Sequence, residues 1–136
     1  MKNIVACCAV LLLIAGCGTN VSMKGKVTFE DDGSPLTKGQ VVFSTPTFQA
    51  SGELKEDGSF VIGSQRSNDG LPPGTYKVAI FGAEDSIDTN SVSQPSYSLI
   101  DPKYSSPQTT DLTFEVTPST RVYNIKVPRN PAPRPK

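Results

Sequence analysis

The chain has 136 residues, of which 13 are basic, 13 are acidic and none is histidine, so its formal net charge at neutral pH is zero. A chain this balanced lacks the positive field that draws proteins to nucleic acid. Histidine is the commonest general base and the commonest metal ligand, and it is the base of Ser-His and Cys-His catalytic pairs, so the chain lacks all of these. We therefore predict no nucleic-acid partner, no metal, no cofactor and no catalytic residues, so that the protein is not an enzyme.

Residues 1–16 have the layout of a signal peptide for export. Lys2 provides a positive charge, and residues 4–14 form an uninterrupted apolar run. A membrane-spanning helix needs ~20 apolar residues, so this run is too short to span a bilayer and instead fits the core of a cleaved signal.

The end of the signal resembles a lipobox, the motif that the bacterial lipoprotein pathway reads. Two aliphatic and two small residues precede a cysteine, in the order Leu13, Ile14, Ala15, Gly16 and Cys17. The resemblance implies that the Cys17 thiol receives a diacylglyceryl group and that the signal is cut before this residue. The alternative is an ordinary signal peptide with an incidental cysteine.

Lipid on Cys17 would decide both the location and the redox state of the mature chain, residues 17–136. Cys7 and Cys8 would leave with the signal, so neither a free thiol nor a disulfide would remain, and the domain must be stabilised by its own core. Two or more acyl chains hold a protein stably at a membrane where one chain does not. We therefore expect a cell-envelope protein, anchored to a membrane through lipid and facing the periplasm or the exterior.

After a tether of residues 17–20, seven short segments alternate apolar and polar side chains, which is typical of half-buried strands. Their inward-facing sets are Val21, Met23, Val27 and Phe29; Val41 and Phe43; Ala50, Gly52 and Leu54; Phe60 and Ile62; Tyr76, Val78 and Ile80; Leu112, Phe114 and Val116; and Tyr123, Ile125 and Val127. Turn-forming residues separate the segments, and we expect Gly58 at positive φ in a hairpin. The pattern predicts an all-β fold, a single seven-stranded antiparallel β-sandwich over residues 21–127.

Several short motifs resemble the carboxypeptidase regulatory-like, or transthyretin-like, β-sandwich of small secreted planctomycete lipoproteins. They are GKV at residues 25–27, GSPL at 33–36, GQVVF at 39–43, DGSF at 57–60 and LPPGTYKV at 71–78. The last is the most specific, because Pro73 fixes φ, Gly74 permits a sharp entry into the strand, and Tyr76 then points into the core. The resemblance implies a transthyretin-like or Ig-like sandwich and no particular function. Related hydrolases of the purine pathway rely on histidines, so their activity is not carried over.

Residues 84–110 form a long, mainly polar loop, and loops of this length are usually functional or disordered. Residues 84–94 hold few apolar side chains, so we predict that this half is mobile and that the second half is ordered. Lys103 and Tyr104 are the candidate binding residues, because they offer a cation and an amphipathic ring. The alternative is that the apolar side chains only pack this loop onto the sandwich, in which case the binding surface would lie around Lys77 and Phe81.

Two further features are charged. The basic, proline-rich residues 128–136 predict a disordered tail. Two acidic clusters, residues 30–32 and Glu84, Asp85 and Asp88, could hold Ca²⁺, although neither has EF-hand spacing and solvated turn charge is the simpler interpretation.

These observations together predict a monomeric, lipid-anchored module that binds an envelope protein or a glycan without catalysis. The alternative is an inert structural or spacer domain with no specific ligand.

Overall fold

The computed structural model of the protein describes residues 20–63, 69–87 and 96–133. Those residues form nine strands and one 3₁₀ helix at Pro102–Ser105, and the strands are β1 (Lys24–Phe29), β2 (Gln40–Ser44), β3 (Gln49–Glu53), β4 (Ser59–Val61), β5 (Gly74–Phe81), β6 (Glu84–Ser86), β7 (Ser96–Ser98), β8 (Thr113–Val116) and β9 (Ile125–Val127). Within these ranges no helix has the length and apolar character that a membrane span requires.

The strands form three sheets, with the orders β4-β1-β9, β3-β2-β5-β8 and β6-β7. The predicted all-β class is confirmed. The count of seven strands is exceeded by two, because β6 and β7 form an additional hairpin. The pairing is also not antiparallel throughout, since β1 and β9 are parallel, with Val27 opposite Ile125. These two strands are the first and the last along the chain, so no short hairpin connects them and forces them to be antiparallel.

One hydrophobic core joins the two larger sheets, and it is built mainly from the positions that the period-two pattern predicted. Its largest fully buried side chains are Met23, Val27, Leu36, Val41, Phe43, Phe60, Ile62, Leu71, Ile80, Ile100 and Ile125. Four predicted core residues, Leu54, Leu112, Phe114 and Tyr123, are only half-buried. Phe114 lies on the edge strand β8, where one neighbouring strand is missing and burial is incomplete.

Gly58 has the positive φ that the sequence predicted, +78°. The predicted hairpin is instead a turn between two sheets, because β3 pairs with β2 and β4 pairs with β1. In this turn the Asp57 carboxylate accepts hydrogen bonds from the Ser59 amide at 3.0 Å and from its hydroxyl at 2.5 Å. A Cβ at Gly58 would also lie 2.8 Å from the Val27 carbonyl oxygen. Both the backbone conformation and the space therefore require glycine here.

The sandwich has two ends, which the strand registers define. The tether end consists of residues 20–24, 69–73 and 117–122, where Val21 and Leu71 exchange backbone hydrogen bonds of 2.8 and 3.1 Å. The distal end consists of residues 30–38, 53–58, 81–86 and 128–133.

The long loop predicted over residues 84–110 contains regular structure in its described part. Glu84–Ser86 pairs with Ser96–Ser98, so the first half begins as a strand rather than as a mobile segment. Residues 88–95 lie outside the described residues. In the second half, Ile100 is fully buried and Leu99 and Tyr104 pack against the core, as the packing interpretation predicted.

The predicted disordered tail also differs from the structure. Residues 128–133 dock along the β7 segment, where the Asn130 amide donates to the Leu99 carbonyl at 3.1 Å and the Tyr97 hydroxyl donates to the Ala132 carbonyl at 2.6 Å. The Asn130 side chain adds a 3.0 Å hydrogen bond to the Ser98 carbonyl. These backbone and side-chain bonds hold the segment despite its prolines. Residues 134–136 lie outside the described residues.

Candidate binding surfaces

The proposed anchor cannot be placed on the fold, because the lipobox residues Leu13, Ile14, Ala15 and Gly16 and the lipidation residue Cys17 lie outside the described residues. The surfaces that follow belong to the folded domain alone.

Lys103 and Tyr104, the binding residues predicted from sequence, lie on the 3₁₀ helix. Asp101 caps this helix, because its carboxylate accepts a 3.0 Å hydrogen bond from the Lys103 amide. The Lys103 ammonium lies 5.0 Å from the centre of the Tyr104 ring, within the range of a cation–π contact. The two side chains, which belong to consecutive residues, therefore contact each other at the surface.

The charge of Lys103 is already paired within the domain. Its Nζ lies 2.8 Å from a carboxylate oxygen of Asp111, and both side chains are solvent-exposed. This hydrogen bond raises the pKa of Lys103 and lowers the pKa of Asp111. Tyr104 is half-buried against the core. A ligand at this surface would have to compete with Asp111 for the cation, and it would find only part of the ring exposed.

The first acidic cluster binds an arginine of the docked tail. Arg129 donates to Asp31 at 2.7 Å, to Asp32 at 3.0 Å and to the Ser34 hydroxyl at 2.9 Å, while its guanidinium covers the Phe29 ring at 3.8 Å from the ring centre. Hydrogen bonds from the Ser34 hydroxyl and amide, with a smaller contribution from the Arg129 charge, lower the pKa of Asp32 from 3.8 to about 2.

These carboxylates are therefore oriented toward a guanidinium rather than toward a metal. In the second cluster Asp85 forms a 2.7 Å ion pair with Lys38, and Asp88 lies outside the described residues. Among residues 20–63, 69–87 and 96–133, no group of three or more His, Cys, Asp or Glu residues is arranged to hold a metal ion.

A third surface, the distal groove, lies at the distal end. It is an open groove of about 440 Å³ lined by Lys38, Gly39, Gln40, Glu53, Leu54, Phe81 and Gly82. Phe81 is 38% exposed, which makes it one of two large hydrophobic side chains that stand out to solvent in the described part of the chain. Lys77, which the sequence had grouped with Phe81, does not line the groove, and its Nζ lies 3.5 Å from the Thr110 carbonyl.

The strand register explains why these side chains meet. Gln40 is the first residue of β2 and stands between Phe81 on β5 and Glu53 on β3. The Gln40 amide is oriented by a 2.9 Å hydrogen bond to the Ser51 hydroxyl. The only indication of this groove in the sequence was an aromatic residue, Phe81, at an outward-facing position of β5. Nothing in the sequence pattern indicated that Gln40 and Glu53 would stand beside it.

No protein-family model matches the chain, and no curated protein matches it. Among solved structures, it is similar to BcpA, the major pilin subunit of Bacillus cereus, in a substituted form (TM-score 0.46, 12% identity, covering 82% of this chain and 30% of the pilin). It is similar to the same subunit without that substitution (TM-score 0.45, 11% identity, covering 84% of this chain and 31% of the pilin). Similarities this low carry no argument about fold family or function, and the transthyretin-like resemblance stays a prediction.

Proposed function

We propose that the protein is a lipid-anchored, non-catalytic lipoprotein of the bacterial cell envelope, and that it binds a glycan at the distal groove. The exposed Phe81 ring carries the ligand part of this proposal. Leaving an aromatic ring 38% exposed forgoes part of the free energy that burial would provide, and in this position the ring borders a groove with polar side chains of three kinds.

The groove chemistry suits a sugar better than the other ligand classes. A pyranose ring has an apolar face of C–H groups and a rim of hydroxyls. Phe81 can pack against that face, while Gln40 and Glu53 offer an amide and a carboxylate to the hydroxyls. The Lys38 ammonium, which pairs with Asp85 at 2.7 Å, borders the groove but is shared with that carboxylate. A cofactor or drug-sized ligand is usually enclosed over most of its surface, and this groove is open. A stable protein interface buries ~1,200–2,000 Å² in total, far more than one shallow groove supplies.

The envelope location is supported by the lipobox-like segment that ends at Cys17. The absence of histidine supports a function without acid–base or metal catalysis. Lys103 is engaged by Asp111 much as Lys38 is by Asp85, so the exposure of the aromatic ring decides between the two surfaces. Tyr104 is half-buried against the core and Phe81 is exposed, so the surface at Lys103 and Tyr104 is the second candidate.

The test is binding of the purified, lipidated protein to an array of bacterial envelope polysaccharides, with Phe81→Ala as the variant. Val122→Ala is the matched control, because Val122 is the other exposed large hydrophobic residue and lies at the opposite end. Central aromatic contacts contribute about 2 kcal/mol or more to binding, so Phe81→Ala should weaken glycan binding by at least ~30-fold while the control binds normally.

Loss of binding in Lys103→Ala but not in Phe81→Ala would move the site to the 3₁₀ helix. If no glycan binds, photo-crosslinking from position 81 in intact cells should reveal an envelope protein instead. If neither a glycan nor a protein is captured, the binding proposal is refuted in favour of an inert spacer domain.

A further inference from the structure

The proposed anchor constrains where the folded domain can stand. Three peptide units separate Cys17 from Asn20, the first described residue. Consecutive Cα atoms are 3.8 Å apart, so the Cα of Asn20 can lie no more than roughly 11 Å from that of a lipidated Cys17. Val21 is already fixed to Leu71 by backbone hydrogen bonds. A lipid inserted in the bilayer therefore keeps the tether end of the sandwich close to the headgroups.

The tether end has the surface chemistry of a lipid contact. Val122 is 52% exposed there. Its neighbour Arg121 is held in place, because its Nη1 donates 2.8 Å hydrogen bonds to the Pro118 and Thr120 carbonyls. Lys24 is exposed and its amide donates to the Arg121 carbonyl at 3.1 Å, so the two cations flank Val122 on adjoining segments.

Charge is distributed unevenly between the two ends. The described residues of the tether end carry two bases, Lys24 and Arg121, against one acid, Asp69. The residues of the distal end carry eight acids and three bases. The chain as a whole is neutral, so this separation is invisible in its composition. An anionic membrane attracts the first end and repels the second.

We propose that the tether end is a membrane-contact face, with Val122 at the headgroup boundary and with Arg121 and Lys24 against lipid phosphates. The inference rests on the proposed lipid anchor and goes beyond it, because a tether alone would let the domain rotate freely. In this orientation the distal groove points away from the bilayer, toward the space where an envelope glycan would be found.

Site-specific fluorescence quenching tests the orientation. A single cysteine is placed at Ser119 on the tether end or at Thr37 on the distal end, both of which are exposed. Each is labelled with a fluorophore in the mature, lipidated protein, in which Cys17 is blocked by lipid and Cys7 and Cys8 have left with the signal. The protein is incorporated into phosphatidylcholine vesicles with or without phosphatidylglycerol, and a headgroup-nitroxide lipid acts as the quencher.

We expect the Ser119 probe to be quenched several-fold more strongly than the Thr37 probe, and the difference to be larger in vesicles that contain phosphatidylglycerol. In the double variant R121E and V122D the difference should collapse, although the protein still floats with the vesicles. The melting temperature of the variant checks that it is folded.

Equal quenching of both probes in a protein that floats with the vesicles would overturn the membrane-contact face and leave the lipid anchor intact. The same probe difference with and without phosphatidylglycerol would overturn the role of the cations. A protein that carries no acyl mass and does not float would instead refute the proposed anchor, and the orientation would fall with it.

Discussion

Replacing Tyr76 by alanine removes the side chain that the sequence singled out in the Pro-Gly-x-Tyr segment. The Tyr76 ring is 3% exposed and packs edge-on against Phe43 and Phe48, with ring centres 6.2 and 6.1 Å away. Its hydroxyl donates a 2.6 Å hydrogen bond to the Pro72 carbonyl, which ties the entry of β5 to the core.

The two parts of this side chain can be separated. Truncation of a buried aromatic residue costs ~3–5 kcal/mol, so Tyr76→Ala should lower the free energy of unfolding by that amount. Tyr76→Phe keeps the ring and loses only the hydrogen bond, which contributes ~0.5–1.5 kcal/mol. For a domain of this size, each 1 kcal/mol corresponds to roughly 4 °C in Tm. Tyr76→Ala should therefore melt ~12–20 °C below the wild type.

Thermal and urea unfolding followed by circular dichroism provide the measurement, with Lys77→Ala as the exposed control on the same strand. The control should stay within ~0.5 kcal/mol of the wild type. The reasoning would be refuted if Tyr76→Ala had the Tm of the wild type, or if Lys77→Ala lowered Tm more than Tyr76→Ala does. Either result would mean that Tyr76 does not point into the core from β5. Against a typical stability of ~5–15 kcal/mol, the expected loss should also appear as faster proteolysis.

Three further changes test other parts of the molecule. Cys17→Ala should abolish partition into the detergent phase, and the intact mass of the wild type should show a chain that starts at Cys17 and carries acyl groups; an unmodified terminus elsewhere would contradict the lipobox. Lys103→Ala should leave both Tm and glycan capture unchanged, because the Lys103–Asp111 pair is exposed and screened. Arg129→Ala should release residues 128–133, seen as faster amide exchange at Asn130, with Arg121→Ala as the control. The pKa of Asp32 is lowered on folding, mainly by the Ser34 hydrogen bonds and less by the Arg129 charge, so its contribution to stability is complete above its ordinary pKa of 3.8 and is lost as pH falls through about 2; the protection factor of the Asn130 amide should therefore fall over this pH range, by less than Arg129→Ala lowers it.

The strands could be predicted from sequence because burial on one face of a sheet leaves a period of two. Val27, Phe43 and Tyr76 follow that rule, and the structure buries all three. The β6-β7 hairpin could not be predicted this way, because its two strands have three residues each and neither repeats an apolar position.

Long-range pairing was the second limit of prediction from sequence. Arg129 donates a hydrogen bond to Asp31, which is 98 residues away in the chain. The composition of residues 128–133 predicts an extended, disordered tail, and only this distant partner shows why the segment is docked. Lys103 and Tyr104 are consecutive in the sequence, but the pairing of Lys103 with Asp111 leaves no signal in local composition. Phe81 was the one aromatic residue at an outward-facing position of β5, whereas Gln40 and Glu53 join it only through the register of three strands.

The parallel pairing of β1 with β9 has a mechanical consequence. The chain enters β1 at the tether end and leaves β9 toward the distal end, where residues 128–133 are docked. A force applied between residues 20 and 133 pulls these neighbouring strands in opposite directions along their length. The evenly spaced hydrogen bonds between the two strands are then loaded in shear, so they must break together rather than one after another. A domain connected in this way should therefore resist tension between its two ends, and if the proposed anchor is correct, that tension would run from the membrane outward.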